Sequence, residues 1–205
     1  MPTGPGGLDS NGIWQFGEDD SEALASDLLN LGMASISTEV GLLDAAVAAI
    51  VTGQILQVVS TTKTDTFSAS LASAAATTVT GLTATLTPVA TSSKVFVMGA
   101  VSIDGDDIFS VGLFRDTTAI ADADASGLRS RDTSAGSSSN AAFLLTIPAM
   151  FLDSPATTSE IEYSFKVRNG NNSTQTVYVN RPASLINEAR LANVVSTITL
   201  MEVAG

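Results

Sequence analysis

The sequence predicts a mainly β protein with an N-terminal α segment: an extended arm, a short coiled-coil-like helical segment, and a C-terminal antiparallel β-sandwich or jelly roll. Three observations carry that expectation. The apolar period is about 3.5 residues as far as Ile50 and falls to about 2 from Gln54 onward. About nine short alternating runs then follow, separated by Gly, Pro, Asn and Asp, with no helix-strand alternation. Aromatic residues make up only 5% of a chain that is 44% hydrophobic and rich in Ser, Thr and Ala, which suits small side chains in close-packed strands. The 205 residues therefore divide into an arm (1–20), a helical oligomerisation segment (21–53) and a sandwich domain (54–205).

The arm opens with a Gly- and Pro-rich stretch that cannot fold alone, and its one apolar cluster is Ile13, Trp14 and Phe16. These three are the candidate anchors for a groove on a partner; packing on the arm's own chain or on a sister subunit is the alternative. Residues 1 to 62 carry eight carboxylates (Asp9, Glu18, Asp19, Asp20, Glu22, Asp27, Glu39, Asp44) and no Lys or Arg before Lys63. Such an arm suits a basic docking partner, or simply stays solvated.

Asp19, Asp20 and Ser21 supply helix-capping side chains, and Glu22 places negative charge at the positive end of the helix dipole, so a helix is expected from about Ser21. Leu29, Met33, Ile36, Val40, Leu43, Val47 and Ile50 alternate four- and three-residue steps, which is a heptad seam. Met33, Val40 and Val47 occupy one core position, and Leu29, Ile36, Leu43 and Ile50 the other. Isoleucine at the second with β-branched residues at the first favours three or four strands over two, so the segment predicts a homotrimer. An amphipathic helix lying on its own domain is the competing reading. Gly32 and Gly41 each cost about 1 kcal/mol relative to alanine; either Gly32 breaks the helix into two pieces, or the helix runs through the seam and ends near Thr52 and Gly53.

The candidate strands are 55–60, 65–69, 82–87, 94–103, 108–115, 141–150, 160–168, 175–180 and 195–203. Asp104-Gly105 reads as the turn of a hairpin, and Asn169-Gly170-Asn171 as another turn. Residues 121–140, rich in Ser, Gly, Asp and Ala, predict a long loop with a short strand, and loops at the ends of sandwiches commonly carry recognition. A second loop spans 181–193.

Composition removes most chemistry. There is no cysteine and no histidine, hence no disulfide, thiolate site or Ser-His-Asp arrangement. A net charge of −12 opposes nucleic acid as a partner. No apolar run reaches the roughly 18 residues of a membrane span, so membrane insertion is not expected, and the N-terminus lacks the charge and apolar run of a signal peptide. Asp104, Asp106 and Asp107 around Gly105 suggest calcium, although a turn explains them as well. No pair of carboxylates is selected for glycosidase work. Neither a catalytic residue nor a cofactor is expected, and an enzyme is not the expected class.

Four strings, residues 53–68 (GQILQVVSTTKTDTFS), 151–160 (FLDSPATTSE), 176–182 (TVYVNRP) and 197–204 (TITLMEVA), resemble a β-sandwich domain found near the ends of tailed-bacteriophage virion proteins of the tail-fibre, head-fibre or minor structural type. The resemblance covers about residues 53–205, and residues 12–31 are more loosely similar to the attachment ends of such fibres and minor tail proteins. It implies a virion protein assembled in the host cytoplasm, anchored by its N-terminus to tail, collar or capsid proteins, trimerised by the helix, and displaying a sandwich for contact with a host-surface glycan or protein. A capsid decoration or collar protein is the alternative that the resemblance allows. The single heptad run and single β domain depart from long fibres and imply a short one.

Overall fold

In the computed structural model, residues 7–8, 14–15, 22–105, 108–138, 144–184, 188–189 and 191–205 are described, with the backbone alone for 7–8, 14–15, 22–28 and 47–51. The chain divides into two compact units, residues 1–51 and 52–205.

In the first unit, β1 (Gly7–Leu8) pairs antiparallel with β2 (Trp14–Gln15), Leu8 facing Trp14. Helix α1 (Glu22–Val51) runs unbroken through Gly32 and Gly41 for 30 residues, a length of about 45 Å. A Cβ at either glycine would meet open space, so neither position is a close-packing requirement. Just past the helix, Gly53 has φ +81°, a left-handed conformation that glycine adopts without steric cost.

The second unit is two antiparallel sheets, as a sandwich requires. The first contains β3 (Ile55–Lys63), β4 (Phe67–Leu71), β6 (Lys94–Asp104), β10 (Leu145–Asp153), β12 (Gln175–Val179) and β13 (Ser196–Val203). Strand β6 is central: β10 lies along one edge, and β13 followed by the end of β12 along the other. The second sheet contains β5 (Ala76–Leu86), β7 (Ile108–Arg115), β8 (Thr118–Ile120), β9 (Ser134–Ser137) and β11 (Ile161–Asn169), with β11 between β5 and β7.

Period-2 alternation sets which side chains face inward. Val95, Val97, Val101 and Ile103 of β6, Ile198 and Leu200 of β13, and Ile147 and Ala149 of β10 form one wall of the core. Val79, Leu82, Phe109, Val111, Leu113, Tyr163, Phe165 and Val167 form the other. Gly99 is a point of close approach between the walls. A Cβ there would stand 2.7 Å from the Phe165 ring and would also collide with the Thr197 carbonyl oxygen, so the ring occupies the space a side chain would take.

All nine sequence-predicted strands are present, 108–115 with the expected ends and the others with at least one end shifted; residues 141–143 of the expected 141–150 strand lie outside the described residues, and the 121–140 stretch contains β9 as its short strand. The hairpin expected at Asp104-Gly105 is corrected by the topology. Strand β6 pairs only within the first sheet and β7 only within the second, so this turn carries the chain from one sheet to the other. An Asp-Gly pair reports a tight turn; it does not report whether the flanking strands hydrogen-bond to each other. The Asn169–Asn171 turn likewise crosses between sheets, from β11 to β12.

Three buried carboxylates reinforce the sandwich, each with partners. Asp153 accepts hydrogen bonds from the Tyr163 hydroxyl (2.7 Å) and from Arg115 Nη1 (2.9 and 3.1 Å), tying the first sheet to the second. Glu202, fully enclosed on β13, accepts from Gln57 Nε2 (2.6 Å) and from the Val89 backbone N–H (2.7 Å). Burial alone would raise its pKa, but these donors hold the carboxyl below its ordinary value. Asp132 accepts from Arg168 Nε (2.8 Å) and from Ser110 Oγ (2.7 Å).

Candidate functional site

A cleft at one end of the sandwich collects polar side chains from three connections. The β4–β5 turn contributes Ser73 and Ala74, the long loop before β9 contributes Leu128, Arg129 and Ser130, and the end of β11 with its turn contributes residues 168–172. Its volume is about 310 Å³, at the small end of the range for ligand pockets and enough for about one sugar residue.

Each wall has a local reason for its shape. Asn169 is buried at the end of β11, and its Nδ2 donates to the carbonyls of Leu71 (2.9 Å), Ala72 (3.2 Å) and Ser173 (2.8 Å). Its Oδ1 accepts the Asn171 N–H at 2.8 Å, so one amide fastens two connections together. Ala74, at φ +58°, turns the β4–β5 connection so that its carbonyl accepts Arg168 Nη1 at 2.8 Å. Arg168 is therefore held from two sides, by Asp132 and by Ala74, with its charge largely compensated by the carboxylate.

Arg129 stands differently. It is exposed, and its guanidinium has no hydrogen bond or ion pair among the described residues. Leu128 beside it is fully exposed at 106%. An exposed cation, a fixed cation, hydroxyls and amides around one opening, with an apolar side chain at the rim, suit a hydroxylated ligand that carries an acid group. The positive character is local in a chain of net charge −12.

The sequence-predicted residues fall elsewhere. Leu29, Met33, Ile36, Val40 and Leu43 lie on α1 and are each 51–67% exposed. Val47 and Ile50 are also on α1, but their side chains lie outside the described set. Trp14 lies in β2, with only its backbone described, while Ile13 and Phe16 lie outside the described residues, as do Asp106 and Asp107. Asp104 is fully buried, and its Oδ2 accepts the Ala183 N–H at 2.8 Å. Among the described residues no group of three His, Cys, Asp or Glu side chains is placed to hold a metal ion. None of the carboxylates of Asp132, Asp153 or Glu202 lines the cleft.

The sequence flagged the long loop as a contact region but gave no sign of its cleft partners. Arg168 reads there as an ordinary outward strand residue, and Asn169 as a turn former. Their roles depend on which turns the two sheets bring to the same end, and local pattern carries no information on that.

No protein-family model matches the chain, and no curated protein matches it. Among solved structures, it is similar to a chain of one described as "Structure of infectious bursal disease virus Gx strain", with 14% identity and a TM-score of 0.34. The match covers 74% of this chain and 43% of that one, so the chain spans less than half the length of that protein. Among the described residues no helix is long and apolar enough to cross a membrane.

Proposed function

We propose that the chain is a homotrimeric virion structural protein, a short fibre or spike. Residues 1–20 anchor it to other virion proteins, α1 trimerises it, and the sandwich is displayed with its cleft as the host-surface contact. The observation that carries this reading is the exposed apolar surface of α1: the five described heptad positions are all more than half exposed, as are Leu31 and Leu42 off the seam, and the four-and-three spacing is what picks out the seam. A helix with that much exposed aliphatic surface is stable in water only when partners cover it. The seam's composition favours three or four strands over two, and the smaller number is the one proposed.

The bacteriophage assignment rests on the sequence strings of the sandwich and on the order arm, helix, β domain. The cleft gives the displayed domain something to bind with, and an acidic surface glycan fits its donors. The protein acts by binding and assembly, with no catalytic role.

Light scattering after size exclusion tests the assembly, comparing the full chain with the Ile36→Asp/Leu43→Asp variant. A trimer that falls to monomer in the variant supports the reading, because it places uncompensated like charge at the axis. A wild-type chain that is monomeric at all concentrations overturns it and favours the decoration or collar alternative, in which the arm and helix clamp neighbouring shell subunits.

A further inference from the structure

The outward face of the first sheet does not look like the wet side of a sandwich. The pairing registers place Val58, Met201, Phe96 and Leu152 in one row across four strands. The next outward row is Ser60, Thr199, Met98 and Met150, and the third is Thr62, Thr197, Ala100 and Pro148. No charged residue occurs in these twelve positions. The exposures are large for aliphatic side chains: Val58 55%, Met98 37%, Met150 64% and Leu152 48%. The second sheet behaves as expected on its outward side, where β11 carries Glu162, Lys166 and Arg168.

We infer that this face is where the sandwiches of neighbouring copies of this chain pack against one another, an inference that rests on the trimeric reading above. Two observations select a second copy as the occupant. The first is charge. Copies carrying −12 each repel, so a contact surface between them must be free of carboxylates, and this face is. A basic partner would select acidic residues here, and an acidic partner basic ones.

The second is chain continuity. Only Thr52, Gly53 and Gln54 separate the end of α1 at Val51 from Ile55, the first residue of β3. Even fully extended, that link spans no more than ~14 Å. Chains joined at the seam therefore deliver their β3 strands close to the same axis.

Magnitude decides how the face works. Four strands at ~4.8 Å spacing and three outward rows at ~6.6 Å each give a flat footprint of ~380 Å². A stable interface needs about 800 Å² per partner, so the face alone associates weakly. Tethering by the seam supplies an effective concentration in the ~mM range, at which a weak apolar contact is occupied. Seam and face thus act together, with the seam giving the number of chains and the face orienting the sandwiches.

The chain has no cysteine, so single thiols report proximity cleanly. Full-length Met98→Cys, Leu43→Cys and Glu162→Cys proteins are treated with a short bis-maleimide and resolved on a denaturing gel. Met98 lies on the central strand of the face, Leu43 on the seam, and Glu162 on the outer side of the other sheet. The expected result is cross-linked chains from Met98→Cys and Leu43→Cys and none from Glu162→Cys. Adding Met150→Lys should reduce the Met98→Cys product to the level of the Glu162→Cys control while leaving the Leu43→Cys product unchanged. Cross-linking through Leu43→Cys alone overturns the inference and leaves the trimeric reading standing. Cross-linking through Met98→Cys alone keeps the face and removes the seam. Absence of both removes both.

Discussion

The hydroxyl of Tyr163 donates to the carboxylate of Asp153 across 2.7 Å, and in doing so joins β11 of one sheet to β10 of the other inside the core. Burial first, and the neighbouring carboxylate second, push the Tyr163 hydroxyl far above the usual tyrosine range. The consequence is alkaline lability. Above the ordinary value of 10.0 the unfolded chain releases this proton and the folded chain keeps it, so the folded state binds more protons. Stability is fully present below pH 10 and falls as pH rises beyond it, by about 1.4 kcal/mol per pH unit. Tyr163→Phe should cost about 1 kcal/mol at pH 7, because Asp153 retains Arg115, and should flatten the decline above pH 10. Urea titrations at pH 7 and across pH 9.5–11.5 measure both effects; an unchanged alkaline slope in the variant would refute this account.

Glu202 governs the acid side. Its folded-state carboxyl titrates below the ordinary value of 4.5, because Gln57 and the Val89 N–H favour the charged form despite the burial that opposes it. The unfolded chain therefore takes up the proton first as pH falls. The contribution is whole above pH 4.5 and disappears as pH drops through the lower folded-state value. Glu202→Gln turns an acceptor into a donor facing other donors and should cost about 1–3 kcal/mol at pH 7. The wild-type advantage should shrink when both proteins are unfolded thermally at pH 3, and a pH-independent difference would count against the assigned role.

These two carboxylates also show what local pattern can and cannot convey. Strand β13 reads correctly from alternation, since Ser196, Ile198, Leu200 and Glu202 share its inner face. Alternation even places Glu202 inside, but its partners lie 113 and 145 residues away in sequence, on connections whose meeting only the finished topology determines. The same reason explains the turn at Asp104-Gly105. Its tightness is written in two residues, whereas its crossing between sheets depends on β6 finding β13 about a hundred residues later. The helix is the opposite case: its period is local and so legible from spacing alone, although every described side chain on it, residues 29–46, is exposed and exposure singles out no stripe. The cleft was half visible, because the composition of its loop is local and the convergence of Arg168 and Asn169 upon it is not.

Gly99 offers a test of the core. Its alanine variant adds one methyl group where the Phe165 ring already stands at 2.7 Å and the Thr197 carbonyl oxygen is in the way. A rotating ring could relieve the first contact, but the second belongs to the backbone of the paired strand β13, so β6 and β13 must separate locally. The expected loss is about 2–3 kcal/mol, at the upper end for overpacking by a single methyl. Gly32→Ala on α1 meets open space and should instead gain up to about 1 kcal/mol of helix stability. Chemical denaturation of both variants decides the point, and a neutral Gly99→Ala would mean that the two sheets yield more readily than this packing implies.

The two arginines of the cleft should separate binding from folding. Arg129 is exposed and its guanidinium holds nothing among the described residues, its backbone N–H alone donating to Ser126, so Arg129→Ala should leave the thermal midpoint within about 1 °C, as for surface changes away from structural contacts. If the cleft takes an acidic sugar, the same variant should weaken its binding about tenfold, the usual worth of one charge-assisted hydrogen bond. Arg168 carries the opposite expectation. Removing it leaves Asp132, whose side chain is only 7% exposed, without its counter-charge and with the Ser110 hydroxyl still donating, and releases the Ala74 carbonyl, so Arg168→Ala should cost about 3 kcal/mol before any ligand is added. Arg168→Lys keeps the charge but loses the planar fork that reaches Asp132 and Ala74 together, and so recovers only part of the stability. Calorimetry of the folded proteins against sialylated and neutral oligosaccharides distinguishes the cases. Equal, weak heats for both sugar classes in the wild type would remove the acidic glycan from the reading. Selective loss in Arg129→Ala, with an unchanged thermal midpoint, would identify the long loop as the binding element and the end of β11 as its support.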